Sequence, residues 1–131
     1  MINSIIKFFK SFNRYENNTE EEILNYINPS IELNQYKIFK DKEITGFLSW
    51  AFLDDKCKNK FVNHGIITAT AWNSGDNLCF VHLVCKKNIK NIINWAKKHF
   101  GTDMKYNKEV VWLRISDDIN KIMRINNKWV R

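Results

Sequence analysis

His82 is the only polar side chain in the run Leu-Cys-Phe-Val-His-Leu-Val from Leu78 to Val84 apart from the thiol of Cys79. A stretch with so little polar alternation suits a central strand covered on both faces, so the imidazole is carried into the interior. Histidine titrates near neutral pH and can serve as a base or hold a charge. A lone histidine in an apolar strand is more often a hydrogen-bonded core residue. Cys79 and Cys85 place two thiols on the same strand, and a thiol beside a base is a nucleophile. Strict alternation puts Leu78, Phe80, His82 and Val84 on one face and Cys79, Val81, Leu83 and Cys85 on the other, which argues against a Cys–His dyad. Lys86, Lys87 and Lys90 gather around Asn88, where a helix begins, and such an N-terminus attracts anions. His64, Asp76 and Asp103 read as turn residues, and His99 sits where a helix dipole favours its charged form.

The elements that position these groups follow from hydrophobic spacing. Apolar residues at 2, 5, 6, 9 and 12 predict an amphipathic helix over 2–12. Thr19-Glu20-Glu21-Glu22 is a capping box for a second helix through Ile27, which Pro29 keeps from continuing far. Residues 35–39 and 44–53 read as a hairpin, with Gly46 as the candidate bulge. Residues 54–63 form a helix closed by Asn63-His64-Gly65, and 66–72 slightly favours extended structure. Asn73-Ser74-Gly75-Asp76-Asn77 is turn chemistry, with Gly75 able to take a positive φ. It delivers the chain into the His82 strand. Asn88 then caps a helix over 89–100, with 89, 92, 93, 96 and 100 on its apolar face and Gly101 at its end. Strands over 109–115 and 121–125 follow, with a turn at Asn126-Asn127. This order predicts a single α/β domain over 1–131, layered around a mixed sheet.

Composition narrows the partners. The 131 residues are enough for one unaided core, and 44% hydrophobic with 27% charged residues is ordinary for a globular protein. Three cysteines, an odd number without a C-x-x-C, argue against a disulfide framework or a zinc site. They favour a reducing, cytoplasmic setting. No run approaches a membrane span, and Lys7 and Lys10 interrupt the N-terminal apolar stretch too early for a signal peptide. A formal charge of +7 favours an acidic partner. Without an RNP, zinc-finger or basic-zipper pattern, that charge is weak support for a nucleic acid.

Several landmarks then fall in a familiar order: Pro29, Asn34-Gln35-Tyr36, Ser49-Trp50-Ala51, Trp72-Asn73-Ser74-Gly75-Asp76, the strand ending at Val84, and Lys97-Lys98-His99-Phe100. On these residues the chain resembles the toxin-activating lysine acyltransferases. Those cytosolic enzymes take a fatty acyl group from acyl carrier protein and place it on lysines of pore-forming RTX protoxins. The resemblance implies a GNAT-like fold: a mixed, mostly antiparallel sheet flanked by helices. It also implies a site built on a histidine after the first helix and an aspartate on the central strand. Counting back from Pro29, the histidine position falls on Tyr15. Counting forward from Ser74-Gly75-Asp76, the aspartate position falls on His82. Both catalytic side chains are therefore expected to be replaced.

Acyl transfer from a thioester to lysine needs a base or a nucleophile, and a tyrosine with a reference pKa of about 10 is a poor base. The family's glycine-containing loop is here Cys85-Lys86-Lys87-Asn88-Ile89, which approaches a phosphate less closely but still offers positive charge to an acidic carrier. Three functions follow. The first is a catalytically inactive acyltransferase-like binding protein. It would suit an immunity protein that neutralises a bacterial toxin, with Lys86, Lys87, Trp129 and Arg131 on its interface and neither cofactor nor metal. The second is an active, acyl-carrier-protein-dependent lysine acyltransferase with His82 as base and Tyr15 beside it. The third is a basic nucleic-acid-binding module.

Overall fold

Apolar residues at helical spacing make the first element of the computed structural model, which describes residues 1–101, 109–115 and 122–128, with side chains for 1–101, 110 and 111. Asp103, Trp129 and Arg131 lie outside the described residues or side chains. Helix α1 (Ile2–Lys10) buries Ile5, Ile6, Phe8 and Phe9 and leaves Lys7 in water. Helix α2 (Glu20–Glu32) opens on the expected capping box: the Glu22 N–H donates to Thr19 Oγ1 at 3.1 Å and the Thr19 N–H to Glu22 Oε1 at 2.9 Å. It does not stop near Ile27 but passes through Pro29. A proline removes a single N–H from the ladder. The turn beyond it is held by the buried Ser30 hydroxyl, which donates to the Ile27 carbonyl at 2.7 Å, and by the Gln35 N–H, which donates to the Ser30 carbonyl at 2.8 Å.

Strands β1 (Tyr36–Lys40) and β2 (Ile44–Leu53) form the predicted hairpin. The register shifts between Phe39, which faces Gly46, and Lys40, which faces Ile44, so Thr45 is the extra residue and Gly46 is its neighbour. Gly46 has another role. A Cβ there would lie 2.8 Å from Ile92 Cδ1, so glycine lets a later helix close onto β2. Helix α3 (Asp55–His64) is capped by Asp54, whose carboxylate accepts the Cys57 N–H at 2.7 Å, and ends at Gly65 with φ 70°.

Residues 66–72 form no strand; the segment turns at 69–70, and Asn73 just beyond it makes one parallel bridge to Phe52. Trp72 and Ser74 take the edge of β2 beyond the start of β1. The Phe52 N–H donates to the Trp72 carbonyl at 2.9 Å and the Ser74 N–H to the Phe52 carbonyl at 2.7 Å. Edge pairing over one bridge meets the backbone's needs without an extended run.

Strand β3 (Asn77–Cys85), helix α4 (Ile89–Phe100), strand β4 (Glu109–Ile115) and strand β5 (Ile122–Lys128) complete the order. Asn126 and Asn127 do not turn the chain; they pair with Val111 and Val110 in the β4–β5 ladder. Asn88 precedes α4 in the left-handed region, φ 62° and ψ 44°, and caps nothing with its side chain. Gly101 ends the helix in right-handed geometry.

The sheet order is β1-β2-β3-β4-β5, antiparallel throughout except for β3 and β4, which α4 connects as a crossover. Ile92, Ala96 and Phe100 of α4 cover Leu48, Trp50, Leu78 and Phe80 on one face. On the other, Ile5 and Phe9 of α1 and Ile23 and Ile27 of α2 meet Phe47 and Val84, while Phe61 of α3 meets Ala51, Leu53 and Cys79. This mixed, mostly antiparallel sheet between helices is the GNAT-like arrangement that the resemblance implied.

Candidate functional site

The segment that leads into β3 is fixed by close backbone contact. A Cβ on Gly75 would lie 2.6 Å from the Asp54 nitrogen and Cα and 2.8 Å from the Leu53 carbonyl carbon. Gly75 is therefore not needed for a positive φ, as the turn composition suggested, since Gly65 is the glycine in that region among the described residues. It is needed because two stretches of main chain touch. The Asp54 N–H donates to Ser74 Oγ at 3.0 Å, and Asn77 Nδ2 donates to the Leu53 carbonyl at 2.9 Å and to Asp55 Oδ1 at 2.8 Å.

Along β3 the pairing with β2 changes register once. Ser49 faces His82, but the next residue, Trp50, faces Phe80, so Val81 is an extra residue. A bulge of this kind breaks the two-residue alternation. Leu78 and Phe80 pack toward α4 together with Leu83 and Cys85. Cys79 and Val81 pack on the opposite face, where Val84 joins α1 and α2. His82 goes with them, because Ser49, Phe9 and Phe47 surround it. The face assignment drawn from strict alternation is thus wrong beyond the bulge: His82 and Cys79 share a side. They still make no nucleophilic pair, because burial pushes the Cys79 thiol up to about 12 and keeps it protonated.

The imidazole sits in an aromatic shell. Trp72 stacks near it, with centroids 6.3 Å apart and planes at 23°, and the rings of Phe9 and Phe47 lie 6.1 and 6.5 Å away. Ser49, with no exposed surface, lies 2.9 Å from Nδ1 through its Oγ and accepts the His82 backbone N–H at 3.1 Å. The serine hydroxyl keeps one hydrogen to donate and one lone pair to accept, so the Nδ1 contact is satisfied by either tautomer of the ring. Burial lowers the His82 pKa to about 4, so the ring is neutral at pH 7. Ser49 itself is sealed in the sheet.

His82 is half-buried because one side of it borders a cleft of about 210 Å³ between α2 and the 65–72 segment. Tyr26, Pro29, Gly65, Ile67 and Trp72 form most of its remaining wall. Gln35 holds this region together: buried, it donates through Nε2 to the Trp50 carbonyl at 2.9 Å and the Trp72 carbonyl at 3.2 Å. Tyr15 lies in the turn after α1 and is 8% exposed. Its ring packs 5.1 Å from Phe9, so Tyr15 and His82 share that phenylalanine as a common neighbour.

The basic group around Asn88 is divided. Lys87 and Asn88 border a second cleft, about 320 Å³, together with Lys40, Asp41, Phe39, Asn91 and Ile92. Lys86 turns to the other side of the sheet, its Nζ 6.0 Å from the centre of the Phe8 ring. Lys90 is exposed on α4 and is not part of the cleft wall. The sequence alone did not show Ser49 and Trp72 as partners of His82, nor that Lys40 borders the same cleft as Lys87. Ser49 and Trp72 stood in motifs already singled out, but only the register of β2 on β3 brings them to the imidazole. Among the described residues no group of three or more His, Cys, Asp or Glu side chains could hold a metal, and no helix is long and apolar enough to cross a membrane.

Comparison with known proteins agrees with the fold. A model of the RTX toxin acyltransferase family matches residues 2–128. The chain is also similar to the uncharacterized protein sll0720 of Synechocystis sp., 32% identical over 108 residues, which cover 79% of this chain and 71% of that protein.

Proposed function

This chain belongs to the RTX toxin acyltransferase family, and from that premise we propose that it keeps the acyltransferase scaffold as a binding protein without transferring acyl groups. One observation carries the reading. The position that the resemblance assigns to the catalytic carboxylate holds a neutral imidazole, bound to Ser49 and enclosed by Phe9, Phe47 and Trp72. A carboxylate at such a position would orient a histidine and stabilise its charged form; a neutral imidazole does neither. Nor does His82 make a useful base. With its pKa near 4, taking a proton from a lysine ammonium of pKa about 10.4 is uphill by roughly 9 kcal/mol. Tyr15, at the histidine position, is packed against Phe9 in the core.

The partner that suits this chain is a protein with an acidic surface, since the formal charge is +7 and Lys40 and Lys87 border one cleft against a single acidic residue, Asp41. In a family that acts on toxins, an immunity protein that neutralises a bacterial toxin is the role we assign. The test of catalysis is intact-mass analysis after mixing the protein with acyl carrier protein bearing a long acyl chain. The expected result is an unchanged carrier and no adduct on the protein. Carrier deacylation, or an acyl adduct, that disappears in His82→Ala would overturn the reading.

A further inference from the structure

Strand β1 has a neighbour on one side only: the sheet order begins with it, and β2 takes its inner edge. Residues of an antiparallel ladder alternate between pairs that exchange backbone bonds and pairs that do not. The latter aim their N–H and C=O groups away from the partner strand. The Trp50 N–H donates to the Gln35 carbonyl at 3.1 Å, and the register then runs Tyr36 to Ser49, Lys37 to Leu48 and Ile38 to Phe47. Gln35 and Lys37 therefore turn their backbone groups toward β2, while Tyr36 and Ile38 turn theirs outward. Among the described residues no hydrogen bond reaches those outward groups. We propose that this edge takes up an extended segment of a partner protein as an added strand, and that the segment alternates apolar with acidic residues. The proposal rests on the reading of the chain as a binder of an acidic protein.

The two faces of the edge select that segment. Toward α1 and α2 the edge is apolar: Tyr36 and Ile38 are half-buried on the Phe9–Phe47 cluster, and Leu33 at the end of α2 is 43% exposed. The neighbouring Glu32 is exposed and repels a further carboxylate on that face. Toward α4 the edge is basic. Lys37 lies over the half-buried Trp95, its Nζ 5.8 Å from the ring centre, and Lys40 borders the cleft where Lys87 faces only Asp41 as an acid. Helix α4 itself contains no Asp or Glu. Side chains of a strand point alternately to its two faces, so a segment laid along β1 sends every second residue to the apolar side and the others to the lysines. Opposite charges on adjacent strands attract and like charges repel. A second copy of this chain is thereby disfavoured as the occupant, because pairing edge to edge would bring Lys37 and Lys40 of both copies onto one face.

The test uses two fluorescent peptides, one alternating valine with aspartate and one alternating valine with lysine, titrated into the full chain by anisotropy at low salt. The aspartate peptide should bind and the lysine peptide should not. Hydrogen exchange at the Tyr36 and Ile38 amides, followed by NMR, should slow at least tenfold at saturating aspartate peptide, while the Lys37 amide, already turned to β2, changes little. Lys37→Glu with Lys40→Glu, both exposed positions, should weaken the aspartate peptide about tenfold and admit the lysine peptide. Should that double variant fail to fold, exchange in the wild-type chain still decides. No binding of the aspartate peptide, equal binding of both peptides, or slowed exchange at Tyr36 and Ile38 that follows protein concentration without peptide overturns the proposal. Binding with unchanged exchange at those two amides overturns the edge as the site and leaves the acidic-partner reading standing. Turnover of acylated carrier protein is read in a separate assay, so a catalytic chain and a misplaced docking edge give different results.

Discussion

Acid should destabilise this protein through His82, and the size of the effect can be worked from its surroundings. The ordinary histidine value is 6.5, and burial brings His82 to about 4 in the folded chain. The folded state therefore binds fewer protons than the unfolded state between those two values. Stability is unaffected by this group above about pH 6.5 and falls as pH drops through the window toward 4. Two and a half units correspond to about 3 kcal/mol, and solvent in the adjoining cleft reduces that to about 2. Among the described residues no charged side chain offsets it; the groups around the ring are Phe9, Phe47, Ser49 and Trp72. Urea unfolding at pH 7.5, 6, 5 and 4 measures the loss, with His82→Phe as the non-titrating reference. Glu22 and Asp54, whose pKa values are lowered by the N–H groups they accept at helix starts, also lose stability in acid, but equally in both proteins. The difference between the two profiles should open by about 2 kcal/mol between pH 7.5 and 4. Parallel profiles, or a native-state NMR titration of His82 centred near 6.5, would refute the enclosed, neutral imidazole and the reasoning built on it.

Two further outcomes test the local packing. Gly75→Ala should cost about 2 kcal/mol or more in unfolding free energy, because its Cβ meets fixed main chain at Leu53 and Asp54. Gly46→Ala should cost about 1 kcal/mol or less, because its Cβ meets only the movable end of Ile92; a reversed ranking in urea melts would show that the two contacts have been misread. Cys79, with its thiol held near 12, should stay unmodified by a maleimide at pH 8 in the native protein and react after unfolding, as peptide mapping by mass would show.

Where local chemistry decides structure, the sequence was a good guide. The capping box at Thr19, the hairpin over 36–53, the closure of α3 at Gly65 and the apolar stripe of α4 all form as their residue patterns dictate. The errors share a physical cause: a partner distant in the chain overrode a local preference. Pro29 is tolerated because Ser30 and Gln35 rebuild the next turn. Asn126 and Asn127 extend rather than turn because β4 offers a ladder. Residues 66–72 had alternation enough for a strand, but among the described residues the ladder here is a single bridge, from Asn73 just beyond the segment to Phe52.

The site turns on the least legible of these features. Nothing in Leu78 to Val84 marks Val81 as an extra residue; there is no glycine or asparagine to announce a bulge, and only the mismatch between Ser49–His82 and Trp50–Phe80 reveals it. Without the bulge, His82 would point toward α4 among Leu48, Trp50 and Phe100, far in character from the cleft at α2. With it, the imidazole reaches Ser49 on its own face of the sheet and lies beside Trp72. One inserted residue thus decides whether the position that the resemblance assigns to catalysis reaches a cleft at all. The bulge delivers an imidazole there, and burial then keeps it uncharged.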